Sequence, residues 1–312
     1  MEERGLSVED VAEILRVGKG TVYSLVKNGE LNHFKVGRKI RFTEEDVRLY
    51  VKASHDACQA GVPIPTELPY FDLSDEAKSK SYFIICGQDL ILDILSNYMR
   101  HNGVPALRAY IGSYDSLISL YRNKIHVASS HLWDATDDSY NISYVRSLLP
   151  GVPCTIVHLT CRIQGLYVAS GNPKNICSWE DFTRSDISMI NREKGAGSRV
   201  LLDQNLKLRG ISPAHISGYH NENQSHLAVA STVSRGEVDV AIGTEKIARQ
   251  VDNIDFIPMK KERYDLVLRS EDMDSSEVEL LLNIIRAPKF QKEFGNIGGY
   301  DLTNIGTVVC ET

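Results

Sequence analysis

The chain has 312 residues, of which 42% are hydrophobic and 24% charged, and a formal net charge of −6. This is ordinary globular composition, with length for two or three domains. It excludes a polycation, so any DNA-binding surface must be a local patch. No apolar run approaches the roughly 20 residues of a membrane span. The start, Met1-Glu2-Glu3-Arg4, has no apolar leader, so a cytoplasmic location is expected.

In chain order, Ser7-Val8-Glu9-Asp10 predicts a helix start, with Ser7 as cap and acids in the first turn. Val8, Val11, Ala12 and Leu15 keep helical spacing, and Gly18 ends the helix. A second helix is expected from about Gly20 to Lys27, closed by Asn28-Gly29. Two short helices joined by a Gly-containing turn read as a helix-turn-helix. Phe34 and Val36, then Ile40 and Phe42, alternate with polar residues around Gly37-Arg38-Lys39, which predicts a β-hairpin with a basic tip. Thr43-Glu44-Glu45-Asp46 caps a third helix carrying Val47, Tyr50 and Val51, which could extend to about Gln59.

Charge sorts within this segment. Arg16, Lys19, Lys27, Lys35, Arg38, Lys39 and Arg41 are basic, and Glu30 is the one acid between Arg16 and Arg41. A basic second helix and a basic hairpin tip suit a helix in the major groove and a wing on the phosphates of double-stranded DNA. The alternative is a solvated face on a protein-binding module. In their order, Leu6–Leu15, Gly20-Thr21-Val22-Tyr23, Gly29-Glu30-Leu31, Val36-Gly37-Arg38-Lys39 and Ile40-Arg41-Phe42 resemble the excisionase-type winged helix, related to the MerR group. The resemblance implies that Lys19, Thr21, Tyr23, Ser24 and Lys27 face the groove, and that Arg38 and Lys39 meet phosphates. Such groove-reading regulators are dimers by default, so a homodimer is expected.

Residues 1–56 are thus expected to form the DNA-binding domain. Gly61, Pro63, Pro65 and Pro69, followed by a polar run, predict a linker over 57–80. Beyond it, strands alternate with helices. Tyr82–Cys86, Leu107–Ile111 and Ile125–Ala128 read as strands, each ending in small or polar residues: Gly87-Gln88, Gly112-Ser113, Ser129-Ser130. This pattern calls for an α/β domain with a mainly parallel sheet, whose ligand lies at strand C-termini. Pro153–Leu166 is expected to cross to a second α/β unit, and the chain to return near Arg263–Leu268.

In that second unit the apolar run Ile187–Ile190 predicts a strand. Gly195-Ala196-Gly197 then forms a tight turn, and Ser198 caps a helix carrying Val200, Leu201, Leu202 and Leu206. Strand, Gly-rich turn and helix start make an anion site, to which Arg192, Lys194 and Arg199 add charge.

Residues 81–309 resemble the type 2 periplasmic-binding-protein fold, in the cytoplasmic subgroup joined to DNA-binding domains and molybdopterin-biosynthesis proteins. The residues that carry this include Gly112-Ser113, Ser130–Asp134, Arg162–Leu166, Asn191–Glu193, Gly195–Arg199, Gly236–Gly243 and Glu262–Asp265. The resemblance implies two lobes, about 81–165 with 265–312 and about 166–264. It places Gln88, Ser113, Ser129, Ser130, Gly197, Ser198 and Arg199 in the cleft between them, around a small anion, molybdate or tungstate. Ser113, Ser129 and Ser198 could instead serve only as caps, and Asp89 is expected to cap its own helix.

His131 and His226 are expected to hydrogen-bond in or near the cleft. The cysteines (Cys58, Cys86, Cys154, Cys161, Cys177, Cys310) form no Cys-x-x-Cys pair, and no histidine spacing completes a metal site. No nucleophile elbow or phosphate loop is present, so neither catalytic residues nor a cofactor is expected. The expected whole is a one-component transcriptional regulator. The alternatives are a sensor of another ligand (an organic or sulfur-containing anion, a nucleobase, an amino acid) or an excisionase-like recombination accessory.

Overall fold

The computed structural model describes residues 6–15, 17–27, 31–37, 39–50 and 82–312. Arg38, Asn28-Gly29, the 57–80 linker and an extension of the third helix to Gln59 lie outside the described residues. The chain divides into two compact units, Met1–Asp72 and Leu73–Thr312.

In the first unit, α1 (Val8–Leu15) and α2 (Lys19–Lys27) precede a hairpin of β1 (Phe34–Val36) and β2 (Lys39–Arg41), and α3 spans 44–50. The caps are reciprocal. Asp10 N donates to Ser7 Oγ at 3.3 Å and Ser7 N to Asp10 Oδ2 at 2.7 Å; Thr43 and Asp46 repeat the exchange before α3. Val8, Val11, Val22, Leu31, Phe42 and Val47 form the core, and Leu6 bridges Phe42 to tie α1 to the wing. Lys39 belongs to the strand, paired with Val36, so the turn is tighter than the expected Gly37-Arg38-Lys39.

The second unit is built on two long strands. Its helices and strands run β3 (Phe83–Cys86), α4 (Leu90–His101), β4 (Ala106–Ala109), α5 (Ser113–Tyr121), β5 (Val127–Ser130), β6 (Trp133–Asp134), β7 (Ser139–Tyr140), α6 (Ile142–Leu148) and β8 (Cys154–Ala169). Then follow β9 (Asn191–Arg192), α7 (Gly197–Leu208), β10 (Glu222–Asn223), α8 (His226–Ser234), β11 (Val240–Thr244), α9 (Glu245–Ala248), β12 (Ile254–Arg269), α10 (Ser276–Arg286), α11 (Pro288–Ile297) and β13 (Val308–Glu311).

Among the described residues, β11-β8-β12-β5-β3-β4 form one sheet, with β13 on β8. β8 and β12 pair antiparallel along nearly their whole length. They account for both the crossing segment and the return. The sheet is mixed, not mainly parallel: β4, β3 and β5 are parallel, and the crossing pair, β11 and β13 add antiparallel partners.

Period-two alternation explains how one strand serves two lobes. Val157 and Leu159 of β8 enter one core and Ile156 the core on the opposite face, together with residues of β3–β5 and α4–α6. Farther along, Leu166 and Val168 face a third core and Tyr167 a fourth, built with α7 and α8. The strand expected over Ile187–Ile190 is reduced to bridges from Ser188 to Ser217 and Met189 to Val240, and the paired strand proper is β9. Ile187 and Met189 are buried in side-chain packing.

Candidate functional site

Between the four cores the crossing strands turn polar. Arg162 of β8 and Glu262 of β12 are register partners there. Both are buried, and Arg162 Nη2 lies 2.5 Å from Glu262 Oε1. Arg162 Nη1 pairs with Asp89 Oδ2 at 2.5 Å, and the guanidinium rests over Tyr264, 4.0 Å from the ring centre. Asp89 also caps α4, accepting from Ile91 N at 2.8 Å, and accepts from Tyr300 Oη at 2.5 Å. Glu262 completes the cluster through His131 Nδ1, 2.7 Å away. Burial works against its charge, but Arg162 and His131 outweigh that and hold the Glu262 carboxyl down at about 2.

Over this floor the lobes meet. Gly87, Gln88, Gly112, Ser113, Ser129 and His131 line a pocket from one lobe; Ala196, Gly197 and His226 line it from the other, with Arg162 and Tyr264 between. The centre of a water-sized sphere can move through about 10 Å³ of it, so the cavity is small. The lobes are shut on one another: Arg192 Nη2 donates to Gln88 Oε1 at 2.6 Å, and Tyr114 N to Gly195 O at 3.1 Å.

Gly197 permits the close approach of the lobes, and Gly87 the close packing of strand ends within one lobe. A Cβ on Gly197 would lie 2.3 Å from His131 Cε1, and one on Gly87, at φ +141°, would lie 1.8 Å from Ser129 Oγ. The helices α5 and α7 both start at the pocket, and neither Gly112 nor Ala196 caps its helix with a side chain. Their N-terminal ends and partial positive charge therefore face the pocket from opposite lobes, the Tyr114 N–H of α5 being taken by Gly195 O. Arg162 Nε, His226 Nδ1 and Ser130 Oγ are buried without a hydrogen-bond partner in the protein.

Of the residues expected in the cleft, Gln88, Ser113, Ser129 and Gly197 line the pocket. Ser130 is buried next in the chain and is not on the wall. Ser198 does not cap α7, because Ala196 is the cap residue; its hydroxyl donates to Gln164 Oε1 at 3.1 Å. Arg199 does not reach the pocket. The third residue of α7, it is buried over Tyr219, 4.2 Å from the ring centre, where it pairs with Asp203 and Glu222 at 3.1 Å each.

Arg162 and Tyr264 line the pocket, and Glu262 lies beneath it, without having been picked out as ligand-binding residues. A signal was available on β8, where Arg162 and Gln164 are polar residues in a long, mostly buried strand; Glu262 lies in the polar run Lys260–Arg263 and carried none. Among the described residues no group of His, Cys, Asp and Glu is arranged to hold a metal ion, and none of their helices is long and apolar enough to cross a membrane.

In the first unit, Lys19, Thr21, Tyr23 and Ser24 are exposed on α2, and Lys39 is exposed on the hairpin. Lys19 lies 2.9 Å from Glu9, an exposed pair that phosphates can displace at small cost. Ser24 Oγ donates back to Gly20 O at 3.1 Å. The Lys27 side chain, like Arg38, is outside the described residues.

The comparisons with known proteins agree with this division. A model described as the PBP superfamily domain matches residues 95–286, and a helix-turn-helix domain model matches residues 6–55. The chain belongs to the periplasmic-binding-protein (PBP) superfamily and carries an N-terminal helix-turn-helix domain. It is 38% identical over 314 residues to the protein YvgK of Bacillus subtilis (strain 168), across 100% of this chain and 99% of that one.

Among solved structures, a Clostridium perfringens substrate-binding protein with bound phosphate superposes with a TM-score of 0.51 at 12% identity, covering 70% of this chain and 98% of that one. The amino acid ABC transporter substrate-binding protein AbpA of Streptococcus pneumoniae, bound to L-arginine, gives 0.50 at 13% identity, covering 72% and 97%. These likenesses show the fold and leave the ligand open. The two domains define a DNA-binding regulator with a ligand-binding domain, and both are binding domains of non-catalytic type.

Proposed function

We propose that the protein is a transcriptional regulator that senses a small oxyanion, molybdate or tungstate, in the pocket between the lobes, and acts as a homodimer on double-stranded DNA. The observation that carries this reading is the convergence of two helix N-termini without side-chain caps, from α5 and α7, on one small pocket floored by Arg162. Ser113 and Ser129 add hydroxyl donors. The tight closure favours a ligand of few atoms over an amino acid. A zwitterion would also need a free carboxylate for its ammonium, and Asp89 and Glu262 are both held by Arg162. No redox or hydrolytic chemistry is required of the site.

Isothermal titration of the full chain with molybdate, tungstate, sulfate, phosphate and L-arginine tests the ligand class. Binding of molybdate or tungstate with a Kd of about 1 μM or tighter, roughly −8 kcal/mol, supports the reading. Heat with L-arginine alone, or with none of the five, overturns it.

A further inference from the structure

Among the residues that line the pocket, Arg162 is the one Lys or Arg and it is not a spare cation; Lys246, beneath the pocket, is turned to Tyr300 Oη. Arg162 faces two carboxylates, Asp89 and Glu262, at 2.5 Å each, and Arg192 is paired with Glu193 at 2.9 Å. Helix N-termini supply about half a charge each. An entering dianion would therefore lack a full counter-charge.

His226 is placed to provide it. It is the first residue of α8, a nine-residue helix capped by Ser225, and it lines the pocket. Its Nδ1 is buried without a partner in the protein. The groups acting on it are Arg192 of β9, Arg162 of β8 and His131 after β5. Carboxylates on the elements packed around α8 are engaged elsewhere: Glu262 of β12 with Arg162 and His131, Glu222 of β10 with Arg199, and Glu245 of α9 with Arg249; Glu193, next to β9, is held by Arg192. Burial, then those positive neighbours, push the imidazole well below its ordinary value, so it is neutral before ligand enters.

Resting on the oxyanion reading above, we propose that His226 makes anion binding proton-linked: its imidazole takes up a proton as a dianion enters the pocket and becomes the ligand's counter-ion. The proton comes from solvent and no bond of the ligand changes. The imidazolium is stable only when the dianion sits beside it. Affinity then rises as pH falls between the imidazole's value in the free pocket and its higher value in the complex, by up to about tenfold per pH unit.

The test is calorimetry of the full chain with molybdate, a dianion throughout the range, from about pH 6 to about pH 8 in buffers of different ionisation enthalpy. Uptake of a large fraction of one proton per molybdate is expected, with His226→Gln binding more weakly, with little uptake and a flat pH profile. Molybdate binding by the unaltered protein with no proton uptake overturns the proposal, as does a His226→Gln protein that keeps the uptake. The buffer comparison on the unaltered chain decides the proton count even where the variant fails to fold. Absence of molybdate binding at every pH overturns the oxyanion reading itself, a result distinct from binding without a proton.

Discussion

Arg162 and Glu262 face each other on neighbouring strands, so their pairing is set by register, with about 4.5–5.5 Å between the β-carbons of directly opposed residues. Burying them is costly, and the pair is worth keeping because each also holds another group: Asp89 for Arg162, His131 for Glu262. The Glu262 carboxyl is held at about 2, below the 4.5 of its reference state, so it contributes stability that is fully present above pH 4.5 and lost as pH falls toward about 2. Glu262→Gln should weaken the second unit by about 1–3 kcal/mol at neutral pH and flatten that acid-side fall. Both tryptophans, Trp133 and Trp179, lie in this unit, so urea unfolding followed by their fluorescence across pH measures it. An unchanged acid-side slope would separate Glu262 from the acid sensitivity.

At the scale of elements, the site is a product of helix starts and crossing strands. α7 begins against His131 with no room for a side chain at its first residue. Gly197→Ala should therefore prop the lobes apart, weakening molybdate binding roughly tenfold or more, about 1.4 kcal/mol. Thermal unfolding should move little, because alanine suits a helix start. Calorimetry and a melting curve on the same variant check this; unchanged affinity would mean that closure does not need this contact. The Gly-rich turn before α7 was legible as a ligand approach from Gly195 and Gly197. The roles of its neighbours were not, because a two-residue difference in where a helix begins turns Ser198 from cap to the first turn of the helix and carries Arg199 away from the pocket.

At the scale of the molecule, ligand and DNA affect each other only through their differential affinity for two states. Saturating molybdate should change the affinity of the full chain for a DNA fragment selected from a random pool by about fivefold or more, and that DNA should change molybdate affinity by the same factor. Fluorescence anisotropy of labelled DNA with and without molybdate, matched by calorimetry with and without DNA, makes the comparison. Equal DNA affinity in both conditions removes ligand sensing from the account.

The domain order, the helix-turn-helix with its wing, and the alternation of strands and helices were all readable in the chain, because each rests on local periodicity and capping. Ser7 with Asp10 and Thr43 with Asp46 are four-residue signals that folded as read. The mixed sheet was not readable, since β8 and β12 find each other across some hundred residues and neither strand carries a mark of its partner's direction. The pocket floor escaped for the same reason. Arg162, Asp89, Glu262 and His131 become one cluster only when two strands, a helix cap and a strand end are brought together. By itself the sequence determined which elements form and which ends carry small polar residues. Tertiary structure decided which of those residues meet, because burial makes the partner of each charge a matter of three-dimensional register.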